Sequence, residues 1–280
     1  MSPTLVDTAA LAVVLGLLGA AIGSFLNVVI YRVPAGRSVV RPASACPQCA
    51  TPIRSRDNIP IVSWLVLRGR CRDCGTRISP RYPAIELSTA AVFVGIALWR
   101  SPMLLSSGGA SFGAEMLVLV ALLFFASITI ALTAIDLDTH RLPNALVLPS
   151  YVVLLVLFGA AALLMGSVES IARAAAGAGI LFVIYLVLAL IAPQGMGMGD
   201  VKLAGVIGLV LGWFGWAALA VGAMAAFLLG GLFGIVLIAL RRARRSTGIP
   251  FGPWMLAGAW LGIVAGEPIA SAYWSIVGLN

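Results

Sequence analysis

Long apolar runs alternate with short polar segments along nearly the whole chain. Runs near 8–31, 83–99, 116–135, 145–165, 171–192, 201–217, 219–240 and 251–275 predict about eight helices, several approaching or exceeding the ~20 residues that cross a bilayer core. The boundary between the sixth and the seventh is the least marked. Glycine is frequent inside the runs, as membrane helices allow. One polar insertion is sizeable: the segment 32–82, rich in proline and arginine, holds all four cysteines. The pattern divides the chain into a first transmembrane helix (1–31), a cysteine loop (32–82) and a membrane core (83–280).

Composition agrees with a bilayer as the solvent. Hydrophobic residues make up 61% of the 280 and charged residues 10%, against about a quarter charged in ordinary globular domains, so no soluble fold would hide this much apolar surface. The fold class expected is an all-α integral membrane protein. The net charge of +8 raises nucleic-acid binding, but the arginines sit between apolar runs rather than on one domain, and no nucleic-acid partner is expected. With eight spans and the amino terminus outside, 32–82, 136–144, 193–200 and 241–250 become cytoplasmic. Of the eighteen basic residues, only Arg100 and Arg173 then fall on the opposite side, which fits the positive-inside rule. The run Arg241, Arg242, Arg244 and Arg245 belongs to this inner face, where anionic lipid headgroups are the expected partner. No lysine or arginine precedes Arg32, and the first run is too long for a cleaved signal, so it reads as a retained helix.

Two pairs, Cys46-Pro-Gln-Cys49 and Cys71-Arg-Asp-Cys74, are separated by twenty-one residues, close to the double C-x2-C spacing of a zinc ribbon. Each pair makes a knuckle that aims two thiolates at one point, and Gly75 suits the turn after the second. Disulfides or free thiols are the alternative, disfavoured on a reducing cytoplasmic side. Four thiolates fill a tetrahedral shell, so the expected zinc is structural.

Ionisable residues in or beside membrane helices are costly and mark functional sites. Asp136 and Asp138 follow the third run, and Asp200 follows Gly195-Met-Gly197-Met-Gly199 at the start of the sixth. The topology brings Asp136 and Asp200 to one cytoplasmic depth. Two facing carboxyl groups in a partly dry site share a proton, which supplies acid and base for peptide hydrolysis. Gly197 and Gly199 would let an extended substrate backbone approach. The plainer readings are a solvated loop start for Asp136 and Asp138 and a helix cap for Asp200; spacing alone leaves them open. A transporter or channel passing protons or metal ions through Asp136 and Asp200 is the reading from another class.

Other chemistry is scarce. His140 is the single histidine, which excludes histidine-based metal sites, and no Gly-x-Ser-x-Gly, His-Glu-x-x-His or P-loop pattern occurs. Glu86 complements the second helix's dipole or meets a basic substrate, and Gly177-Ala-Gly179 suits close helix packing.

The ordered set Gly23-Ser-Phe-Leu-Asn-Val-Val-Ile-Tyr-Arg32-Val-Pro34, the Cys46 pair, Asp57-Asn-Ile-Pro60, Ser63-Trp64, the Cys71 pair, Arg81-Tyr-Pro83-Ala-Ile-Glu86, Ile135-Asp136 with Leu142-Pro143-Asn144, and Gly197-Met-Gly199-Asp200 with Lys202 resembles the bacterial type IV prepilin peptidases. The resemblance implies an aspartic endopeptidase of the bacterial plasma membrane that cuts the basic leader of prepilins and pseudopilins after a glycine. It further implies methylation of the new amino terminus with S-adenosylmethionine. Asp136 and Asp200 match the family's catalytic aspartates, with Asp138 the rival two residues on, and the four cysteines match its zinc-binding loop. A basic leader and basic loops repel, which anionic lipids over the arginines would offset, leaving Glu86, Asp138 or the catalytic pair to meet the leader.

Overall fold

The computed structural model describes residues 5–192, 196–240 and 250–278; Gly195 and the run Arg241, Arg242, Arg244 and Arg245 lie outside them. Among the described residues the chain folds as α1 (Leu5–Arg32), a short α2 (Val62–Val66), α3 (Arg81–Ser106), α4 (Gly109–Thr139), α5 (Asn144–Met165), α6 (Val168–Ile191), α7 (Met198–Phe214), α8 (Trp216–Ala239) and α9 (Gly252–Val277). The eight expected runs are eight long helices. Seven of them are long and apolar enough to cross a membrane. The exception is α7, whose 17 residues span about 25 Å at 1.5 Å per residue, short of a hydrocarbon core of about 30 Å. The faint boundary between the sixth and seventh runs is a sharp break at Gly215, whose φ of 138° is a conformation L side chains rarely adopt.

The chain forms two compact units, residues 1–134 and 135–280, with the division falling inside α4. In the first unit α1 and α3 pack lengthwise and antiparallel. Gly19 faces Ala90, Gly23 faces Glu86, and the Asn27 amide donates to the Tyr82 carbonyl at 3.1 Å. A Cβ at position 23 would lie 2.7 Å from the Glu86 Cα, so the small side chain sets the helix separation, as in membrane bundles generally. Arg100, the first exception to the charge pattern, is buried and paired with Glu115. A pair of this kind lets two charges stay among apolar helices.

The second unit is built around α7, which buries twelve of its residues, including Val201, Leu203, Val210 and Leu211, and is packed by α5, α6, α8 and α9. Gly177 of α6 meets Gly208 and Gly212 of α7 backbone to backbone, which bears out the packing role read for Gly177. Arg173, the second exception, donates from Nε to the Gly212 carbonyl (2.9 Å) and from Nη2 to the Trp213 carbonyl (3.2 Å). It thus satisfies the unpaired carbonyls at the end of α7 and complements its dipole. A short helix enclosed by four others needs neither the length nor the lipid-facing surface of a full span. Elsewhere large apolar side chains face outward, among them Leu163, Val168, Ile191 and Ile276, each at least 75% exposed. A bilayer accommodates such a surface and water does not.

Candidate active site

The third run ends later than its hydropathy suggests. α4 continues through Asp136 and Asp138 to Thr139 and stops at His140, whose φ of 53° and N–H to the Asp136 carbonyl (2.9 Å) form a left-handed cap. Two residues on a helix lie about 200° apart, so the two aspartates face different ways. Asp136 is 4% exposed, whereas Asp138 is exposed. His140 is exposed at the helix end, as a loop residue would be.

The Asp136 carboxylate oxygen Oδ2 accepts the Gly252 N–H at 3.1 Å. Gly252 opens α9, so this N–H is one of the donors that a helix start leaves without an internal partner, and the dipole there favours an anion. A Cβ at 252 would stand 2.7 Å from Asp136 Oδ2; only glycine lets that backbone come so close. Asp200 sits in the first turn of α7, half-buried, with its Oδ2 accepting the Gly197 N–H at 3.0 Å while its own N–H donates to the Gly197 carbonyl, also 3.0 Å. It therefore does act as a cap. Leu142 links the two halves, since Cβ atoms built at Gly199 and Gly252 would meet it at 3.1 and 3.3 Å. Asp200 feels the charge of Asp136, and Tyr185 that of Asp200.

The glycines before Asp200 differ. Gly199 makes room for Leu142, whereas Gly197 is exposed, and among the described residues the one side chain near a Cβ there would be the Asp200 carboxylate, at 3.5 Å. Lys202 holds the start of α7 to α5 through Asn144 Oδ1 (3.1 Å), and its carbonyl takes the Tyr151 hydroxyl at 2.6 Å. Sequence reasoning missed Gly252, and it noted Leu142 in the family-like motif without giving it a role. Phe251-Gly252-Pro253 signals a helix start, but nothing in that pattern names a carboxylate more than a hundred residues away as its partner.

In the first unit the four cysteine Sγ atoms lie within 4.8 Å of one another, with Cys46 and Cys74 at 3.8 Å. A tetrahedral ion with bonds of about 2.3 Å to sulfur sets ligand separations of about 3.8 Å, so the four residues fit one metal ion. The knuckles are built alike. The Cys46 N–H donates to the Thr51 carbonyl and the Ala50 N–H to the Cys46 carbonyl; Cys71, Thr76 and Gly75 repeat the pattern. Gly75 has the expected positive φ, and Ala50 adopts the same turn with φ 56°. The Thr51 hydroxyl and then its N–H push the Cys49 thiol down to about 6, while, against the Thr76 N–H, burial and the other three sulfurs push Cys74 up to about 12, so the four thiols share their protons as one set. The loop's two aspartates are both spoken for: Arg72 pairs with Asp57 at 2.6 Å and Arg54 with Asp73 at 2.8 Å. Glu86 is buried, and its Oε2 takes the Ile61 N–H at 2.6 Å, so it holds the loop to α3 rather than standing free.

Residues 17–100 match the bacterial peptidase A24 N-terminal domain, and residues 122–239 match the type IV leader peptidase family. Similar proteins named prepilin leader peptidase/N-methyltransferase include one from Aeromonas salmonicida (strain A449), 36% identical over 91% of both chains. A second, from Pseudomonas putida, is 34% identical over 96% of this chain and 94% of its own. A third, from Pseudomonas aeruginosa, is 32% identical over 94% and 93%. No solved structure matches the chain. With both domains in order and a third of residues shared along nearly the full length of these relatives, the chain belongs to the type IV leader peptidase family.

Proposed function

We propose that this protein is an aspartic endopeptidase that removes the basic leader of prepilins and pseudopilins and then methylates the new amino terminus, with Asp136 and Asp200 as its catalytic pair. The observation that carries the reading is the convergence of the two carboxylates from α4 and α7 around Leu142 and the first turn of α9. Sharing one proton, the ionised member takes a proton from water as it attacks the scissile carbonyl, and the protonated member donates to the oxygen that becomes negative. The Gly252 N–H orients Asp136, and the turn at Gly197 orients Asp200. An extended substrate reaches the pair past the exposed Gly197, where among the described residues the Asp200 carboxylate is the one side chain nearby; Gly199 serves the same approach by admitting Leu142. A helical substrate must unwind first, because its carbonyls are already bonded.

The four cysteines would hold a structural zinc ion, which supplies no reacting position because four thiolates complete its shell. The relatives' names support the methyl transfer, whose donor would be S-adenosylmethionine. A multi-pass protein of the bacterial plasma membrane follows from the apolar helices and the family. The charge pattern supports an outside amino terminus, with both aspartates and the loop 32–82 on the cytoplasmic side, against anionic headgroups. The segments 1–31, 32–82 and 83–280 are kept as functional divisions. The transporter reading of the same aspartates finds no support in the relatives.

Purified protein incubated in detergent with a prepilin, with and without S-adenosylmethionine, tests both activities by mass spectrometry. The expected product lacks its leader, and with the methyl donor it is one methyl group heavier. An intact substrate would overturn the peptidase assignment, and a shortened but unmethylated product would remove the second activity.

A further inference from the structure

α2 turns its apolar side chains outward. Ile59 just ahead of it and Val62, Leu65 and Val66 within it are 51, 51, 61 and 71% exposed. Its polar residue points the other way: Ser63 is buried, donating to the Arg56 carbonyl and accepting the Ile59 N–H, both at 3.1 Å. In water this orientation is backwards for a five-residue turn. It becomes sensible at the depth where the turn is tethered. The residue before α2, Ile61, gives its N–H to Glu86, and Glu86 lies five residues inside α3 and opposite Gly23 of α1. At 1.5 Å per residue that anchor point is about 7 Å past the start of α3 and about 13 Å before the end of α1. Both are helices fit to cross a membrane. Ile61 is held at φ 63°, an outlying conformation for a β-branched residue, so the tether fixes a segment that would not choose this path alone.

Charge selects what covers the surface. From Arg32 to Arg81 ten arginines meet only two aspartates, and both aspartates are already paired. Arg56, Arg68, Arg70 and Arg77 belong to the same loop as the apolar turn, and Arg56 and Arg70 are exposed. Apolar side chains flanked by guanidinium groups match the headgroup layer of an anionic bilayer, which takes up both. A basic leader segment would meet like charge on the same surface.

We infer that Ile59 and α2 form an interfacial anchor, inserting Val62, Leu65 and Val66 into the headgroup region of an anionic membrane while Arg56, Arg68, Arg70 and Arg77 engage lipid phosphates. Glu86 sets the depth of the anchor and so holds the cysteine loop against the bilayer at α1 and α3.

A benzophenone side chain in place of Val66, and another in place of the exposed Ser55 as a control, would be photo-activated in the full-length protein in nanodiscs. The discs would contain phosphatidylcholine alone or mixed with phosphatidylglycerol, with a prepilin added in a parallel sample. The expected result is phospholipid adducts at position 66 several-fold above position 55, rising several-fold with phosphatidylglycerol. Adducts to the prepilin or to a second copy in place of lipid, equal yields at the two positions, or indifference to phosphatidylglycerol would each overturn the inference. Because the readout is a lipid adduct, it stands or falls separately from leader cleavage.

Discussion

Single atoms decide the geometry around the aspartates. Gly252 is the tightest constraint, since any Cβ there enters the space of the Asp136 carboxylate. Gly252→Ala is expected to lower kcat/KM for leader cleavage by about 10²-fold, the scale of a misplaced catalytic group, with little change in thermal midpoint; wild-type kinetics in that variant would detach Gly252 from the site. Gly197→Ala should keep the fold, because among the described residues the Asp200 carboxylate is the only side chain near the added carbon, and should raise KM more than it lowers kcat. An unchanged KM would argue against substrate passage there. In the cysteine loop, Arg72 beside Asp57 holds that carboxyl below the usual range. A carboxylate with a lowered pKa in the folded state stabilises above its ordinary value, and the effect fades as pH falls through the lowered one. The ratio of amide-exchange rates across 55–74 between Asp57→Asn and wild type should therefore stay constant from about pH 8 to pH 5 and approach one only in stronger acid, below about pH 3.9. A ratio that changes between pH 8 and 5 would assign the loop's acid response to another group.

Among the elements, α7 and the paired knuckles carry the architecture. α7 survives at 17 residues because Gly177, Gly208 and Gly212 let α6 lie against its backbone and Arg173 closes its end. Gly208→Val would drive a branched side chain into the Gly177 carbonyl. A loss of about 1–3 kcal/mol or more is expected from such overpacking, read as a lowered thermal midpoint in detergent; an unshifted midpoint would mean that the two helices are not in close contact. For the knuckles, about one zinc ion per chain is expected by elemental analysis, the stoichiometry of a single four-thiolate site. Cys46→Ser and Cys71→Ser should each lose it and open 37–80 to proteolysis. A full metal content in either variant would exclude the four-cysteine site.

For the whole molecule, the charge pattern foresees Ser107 and Ser167 outside and Asn144 inside; single reporter tags at these positions test it, and an inside signal at 107 would invert the topology. Much of this was legible in the sequence, because hydropathy runs record lipid exposure directly. The eight long helices follow the eight runs, and the two cysteine pairs meet as their spacing requires. What periodicity could not reveal was enclosure and long-range pairing. α7 carries as apolar a sequence as its neighbours, yet it is buried among them, and Glu86 looks available in the sequence but is bound to Ile61. Asp136 and Asp138 look equivalent in the sequence until the extra turn of α4 separates their faces. That separation supplies the most direct test: leader cleavage by Asp136→Asn, Asp138→Asn and Asp200→Asn, each checked for an unchanged fold. Cleavage should be lost in the first and third and retained in the second. Wild-type cleavage in Asp136→Asn or Asp200→Asn would contradict the catalytic pair.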